Sequence, residues 1–223
     1  MLPDNFAPTP RRGFLGRVAM TAAALGLSGS VPAALAGERP RAASGGADPQ
    51  LDAWFGKIKG KHRQVFDAPE ANGGVVGIWP RVYLLTMDAT YANEPGTAVV
   101  ILRHAAIPLA MQDSLWAKYK FGEMFNIKNG DAPATSNPYA TITGLPIPGL
   151  GISELLKSGV LIGVCNAALT VFSGAAAKAM NTDAAAVKSE WIAGLYPGVQ
   201  VVPSGVMAVG RAQELGCSYC FAG

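Results

Sequence analysis

Short apolar runs rich in Val and Ile recur along the chain at 64–66 (QVF), 97–103 (TAVVILR), 160–165 (VLIGVC), 199–203 (VQVVP) and 218–222 (SYCFA). They are too short for buried helices and do not alternate apolar with polar, so they predict strands covered on both faces, as in a parallel sheet. Helical spacing fills the intervals. Residues 73–91 link the first two strands, with Pro80 marking a helix start or a kink. Residues 107–125 follow the second strand, and Leu109, Leu115, Trp116 and Tyr119 form one apolar stripe. The stretch 151–159 reads as a helix capped by Ser153 and stopped at Gly159. Helices are also expected over 166–180, over 181–195 with Asn181 or Thr182 as cap, and over 204–216 with Gly216 as the stop.

Strand and helix in turn predict an α/β fold: a mainly parallel five-stranded sheet flanked by helices, a flavodoxin-like three-layer sandwich. Such sheets bind ligands outside the carboxyl ends of their strands. At those ends stand Arg103 and His104, then Cys165 and Asn166, then Ser204 and Gly205. A thiol, an imidazole and a hydroxyl would share one rim, with helix N-termini at Asn166 and Ser204 favouring a thiolate or a bound anion. Cys165 and His104 are the candidate catalytic residues, and Asn166, Arg103, Ser204 and Gly205 the candidate binding residues. An inert core thiol and a histidine satisfied by backbone partners are the competing readings.

The N-terminus changes what the mature chain is. Arg11 and Arg12, an apolar Gly- and Ala-rich stretch and the small-x-small Ala34-Leu35-Ala36 have the layout of an export signal and resemble a twin-arginine translocation signal over residues 1–36. The apolar part is too short and glycine-rich to span a membrane comfortably. The expected organisation is a signal at 1–36, a flexible leader at 37–50 and an α/β domain at 51–223, in the periplasm and off the membrane after cleavage. Removal of 1–36 takes away Arg11, Arg12, Arg17 and Asp4, lowering the formal charge from +3 to +1. With only the short GKIKGKHR run left, the electrostatic footprint of a nucleic-acid binder is missing, so nucleic acid is excluded as a partner. That run, His62 included, reads as a solvated lead-in.

The remaining candidates are weak. Cys217 and Cys220 form a CxxC pair, but it follows a helix rather than opening one. An extended strand would set the two Cα atoms about 10 Å apart, beyond what a disulfide spans. A single CxxC half-site does not make a zinc centre, so no metal is expected. Ser204 lacks the flanks of a nucleophile elbow and reads as a helix cap. Asp113, Glu123 and Glu214 read as paired or solvated. Residues 144–153 lack a phosphate-binding pattern and read as an ordered loop, a lid over the strand ends, within a long irregular stretch after 128.

The order of elements, the cysteine closing a central strand in GVLIGVCNAAL, the HAAIPLAMQDSLWAKYKFGE segment and the terminal YPGVQVVPSGVMAVGRAQELGCSYCFAG together resemble the DsrE/DsrF-like family, over roughly residues 60–222. The resemblance implies a flavodoxin-like fold, homo-oligomers, and a strand-end cysteine at the position of Cys165 that carries sulfur as a persulfide to and from partner proteins. The family's sulfur relays are cytoplasmic, whereas this chain carries an export signal. The expectation is therefore an exported sulfur carrier that needs no cofactor, whose partners are copies of itself and a sulfur-donor or acceptor protein. The alternative is a non-catalytic periplasmic oligomeric or ligand-binding module with structural cysteines.

Overall fold

A computed structural model describes residues 48–223; the signal and most of the leader assigned to 1–47 lie outside the described residues. The last leader residues do not continue it. Asp48 accepts from the backbone N–H groups of Gln50 and Leu51 and caps a helix, α1 (Pro49–Phe55).

Five parallel strands form the central sheet: β1 (His62–Ala68), β2 (Gly96–Leu102), β5 (Leu161–Cys165), β6 (Gln200–Val202) and β7 (Ser218–Phe221), in the order β6-β5-β2-β1-β7. Val65 pairs with Val99 and with Tyr219, Leu102 with Val164, and Cys165 with Val202. A hairpin, β3 (Lys128–Asn129) and β4 (Ala132–Pro133), stands apart from it.

The inner strands are covered on both faces, so β2 and β5 read as unbroken apolar runs, whereas β7 at the sheet edge leaves Tyr219 and Phe221 exposed. Phe66, Val100, Leu102, Ile162 and Val164 face a core with Leu109, Trp116, Leu155, Leu169 and Trp191. These come from the segment after β2 and from α3 (Asp113–Tyr119), α5 (Ile152–Lys157), α6 (Asn166–Ala179) and α7 (Ala184–Ala193). Val65, Val99, Ile101 and Val202 face the opposite layer, where Trp54 and Phe55 of α1 lie with Ala208, Val209 and Ala212 of α8 (Gly205–Glu214). Gly163 is bare because a Cβ there would stand 3.0 Å from Ile101 and 3.2 Å from Trp54. The architecture is the three-layer α/β sandwich expected from the pattern.

Several expected helices are divided. The 73–91 stretch opens as a 3-10 segment, Asn72–Gly77, with Gly73 and Gly74 at positive φ, and becomes α2 (Trp79–Thr90) with Pro80 in its first turn. The 107–125 stretch is no single helix. A 3-10 segment runs through Pro108 to Ala110, α3 follows, and the left-handed Lys120 separates it from α4 (Phe121–Met124). Its apolar stripe is nonetheless buried. Gly151, at φ +98, rather than Ser153 precedes α5, and Asp183 rather than Asn181 or Thr182 caps α7. His62 is no free loop residue: it opens β1, bonds Glu94 at 2.9 Å and stacks on Tyr91.

Candidate functional site

The site begins with two neighbouring strands whose following helices leave on opposite faces. After β5 the chain turns into α6 on one face, and after β6 into α8 on the other. A cleft of about 330 Å³ opens above the strand ends between the two helix starts. Arg103, His104, Cys165, Ser204 and Gly205 all border it, so five of the six expected site residues meet in one place.

Cys165 ends β5 and serves as the N-cap of α6: its Sγ accepts from the Ala168 N–H at 3.4 Å. The residue is only 6% exposed, as is Cys217, but unlike Cys217 it borders the cleft. Negative charge on this sulfur would face the positive end of a fourteen-residue helix. Asn166 does not join the cleft lining. It occupies the first turn of α6, its carbonyl accepts from Thr170, and the N–H that faces the sulfur belongs to Ala168.

His104 is exposed, with a left-handed backbone at φ +47, and its ring stands edge-on to Phe172 at 5.7 Å. Its expected backbone partners are not present among the described residues, so the imidazole is free to meet a ligand. Ser204 behaves as the cap it resembles: Oγ accepts from the Met207 N–H at 3.1 Å and starts α8. Ser204→Ala should cost about 1 kcal/mol, read as a lower denaturation midpoint.

Arg103 borders the cleft, and its stem forms part of the wall. Its Cβ, Cγ and Cδ lie where a Cβ on Gly205 would stand, at 2.5–3.3 Å, so the methylene chain crosses the start of α8 over a bare backbone. The guanidinium reaches Asp67 on β1, with Nε at 2.7 Å from Oδ1 and Nη2 at 3.0 Å from Oδ2. Tyr219 of β7 donates to the same Oδ2 at 3.0 Å. The hydrogen bond to Asp67 raises the Arg103 pKa above its ordinary value. Three strand ends, of β1, β2 and β7, are thus tied by one buried carboxylate. Asp67 and Tyr219 were not singled out from the sequence, although an acid in the buried half of HRQVFDA must find a cation or donors.

The rest of the lining is apolar: Ala167, Ala168, Val171, Phe172 and Val206. Val171 and Val206 are 68% and 74% exposed, unusual for aliphatic side chains beside a thiol. The 144–153 loop does not line this cleft. It packs against the 72–81 region, where Arg81 donates to the Pro148 carbonyl and Gly151 to that of Gly77, so it is no lid for Cys165.

Cys217 and Cys220 flank and occupy β7 at an odd offset, which sends them to opposite faces. Cys217 packs in the core beneath α8 and Cys220 against the other core, so the pair forms neither a disulfide nor a shared metal half-site. Among the described residues no three potential metal ligands converge, and no helix is long and apolar enough to cross a membrane.

Burial raises the Cys217 thiol above its ordinary 9.0, and raises Tyr83, Tyr119, Tyr139, Tyr196 and Tyr219 above 10.0. The folded chain holds these protons more tightly than the unfolded chain does. Their stabilisation is complete below the ordinary values and is lost as pH rises through them. Thermal melts should therefore hold to about pH 8.5 and fall progressively from there to pH 11.

No family model and no curated protein matches the chain. Among solved structures, a similar chain is the protein of unknown function MTH1491 from Methanobacterium thermoautotrophicum, 21% identical, with a TM-score of 0.37, covering 72% of this chain and 99% of that one.

Proposed function

We propose that this protein is a thiol-based sulfur carrier, an exported relative of the DsrE/DsrF-like proteins, with Cys165 as the carrier residue. The supporting observation is that the Cys165 sulfur caps α6 at the floor of an open cleft shared with His104. The chemistry is a sulfur transfer without net oxidation. The Cys165 thiolate attacks the outer sulfur of a donor R–S–SH, the donor's S–S bond breaks, a new bond joins Sγ to that sulfur, and the departing RS⁻ takes up a proton. In this reading His104, which borders the same cleft, exchanges that proton. The Ala168 N–H and the start of α6 offset negative charge in the cleft.

In this reading residues 1–36 direct the chain through the twin-arginine pathway to the periplasm, and the carrier works as a homo-oligomer that exchanges sulfur with a donor or acceptor protein. Incubation with a persulfide donor, followed by intact mass and peptide mapping, tests the reading. One added sulfur atom located on Cys165 is the expected result, and an unmodified Cys165 contradicts it. A second reading, a ligand-binding module with packed cysteines, is favoured by the 6% exposure of Cys165. It predicts ligand retention with no sulfur on that residue.

A further inference from the structure

A second cleft, of about 340 Å³, lies on the same rim and differs in character from the first. It is polar: Glu70 and Asn72 after β1, Asn126 and Lys128 around the hairpin, and Tyr139 line it. Glu70 and Lys128 are both exposed, and neither makes an ion pair or a side-chain hydrogen bond among the described residues. A free carboxylate and a free ammonium thus line one concavity without neutralising each other. Asn72 and Asn126 hold left-handed backbones at φ 40 and 52, a conformation that asparagine tolerates better than other side-chain-bearing residues, and these turns shape the wall.

The two clefts are neighbours. His104 lines the first and Ala105 the second, while Phe172 of the first and Phe125 of the second touch with ring centroids 4.8 Å apart. A ligand longer than one cleft would pass the left-handed turn at His104.

We infer that the two clefts form one bipartite site for a small zwitterionic sulfur compound, an amino-acid or short-peptide thiol. Its ammonium faces Glu70, its carboxylate faces Lys128, and its sulfur-bearing stem lies on the apolar wall leading to Cys165. Charge-assisted hydrogen bonds supply orientation in the polar half. The apolar half rewards a methylene stem and leaves a hydrated inorganic anion without partners. A purely anionic donor meets Glu70 as a like charge, and the Arg103 guanidinium is held by Asp67 rather than offered in exchange. The inference rests on the sulfur-carrier reading for the ligand's sulfur and for which end of it faces the thiol; the zwitterion recognition rests on Glu70 and Lys128 alone.

Binding is therefore tested without sulfur transfer, on the Cys165→Ser chain titrated with S-methylcysteine and followed by NMR. Saturable binding should shift resonances of residues lining the polar cleft and of His104 and Phe172 where it meets the apolar one. Glu70→Lys and Lys128→Glu, both exposed substitutions, should each weaken it roughly tenfold or more. The carboxylate-only analogue 3-(methylthio)propionate and the ammonium-only analogue 2-(methylthio)ethylamine should bind more weakly. No saturable binding of S-methylcysteine, equal binding of the one-charge analogues, or an unchanged affinity in either variant overturns the inference. If these results come out as expected while wild-type Cys165 takes no sulfur from cysteine persulfide, the zwitterion site stands and the carrier reading falls.

Discussion

Replacing Cys165 by serine should abolish sulfur uptake by the folded chain, a loss of at least about a hundredfold relative to wild type, because the nucleophile of the transfer is removed. The substitution is well suited to the question. Serine is a stronger helix cap than cysteine, and its Oγ can accept from the Ala168 N–H in place of Sγ, so α6 should keep its start. Circular dichroism and melting temperature should stay close to wild type while intact mass records no added sulfur. Cys217→Ser and Cys220→Ser provide the contrast. Neither thiol borders the cleft, so each of these variants should load sulfur at nearly the wild-type rate. Uptake that survives in Cys165→Ser, or vanishes in Cys217→Ser, would move the chemistry to the other end of the chain.

The second large effect falls on stability. Asp67→Ala should cost about 3 kcal/mol, because it strands the partly buried Arg103 guanidinium and removes the acceptor of the Tyr219 hydroxyl. At about 2–4 °C per kcal/mol for a domain of this size, the melting temperature should fall by about 6–12 °C. The consequence reaches the site. Once Asp67 is gone nothing holds the Arg103 stem across Gly205, so the wall of the cleft beside Cys165 loosens. Alkylation of Cys165 in the still-folded fraction should change with Asp67→Ala and stay unchanged with Glu214→Ala. The latter breaks only an exposed pair with Arg211, worth little to stability. A drop below 1 kcal/mol for Asp67→Ala would show that the three strand ends are held by packing alone.

The sheet was legible in the sequence because burial on both faces writes the central strands β2 and β5 as unbroken Val-, Ile- and Leu-rich runs, and a parallel sheet then assigns the strand ends to one rim. That step alone gathers Arg103, His104, Cys165, Ser204 and Gly205 at one rim, where the structure has them. What spacing does not carry is direction. Arg103 stands at the rim but sends its charge sideways to Asp67, and Asn166 sits beside Cys165 in sequence while another residue's N–H meets the sulfur. Helix interruptions were hidden for a related reason. Lys120 takes a left-handed conformation between two apolar turns with no glycine or proline at that position to signal it. The hairpin at 128–133 is only two residues deep on each side, too short to impose a period. The polar cleft gathers residues from the loop after β1, the segment around the hairpin and Tyr139, elements whose proximity is set by tertiary packing alone.

The account depends most on Cys165 being a thiol that the folded protein presents to its surroundings. The direct measurement is the alkylation rate of each cysteine in the native chain at neutral pH, resolved by peptide mass. Cys165 should label at least roughly ten times faster than the core thiol Cys217, with the sheet still folded by circular dichroism. A Cys165 that stays unlabelled until denaturant is added, or that labels no faster than Cys217, would contradict the account.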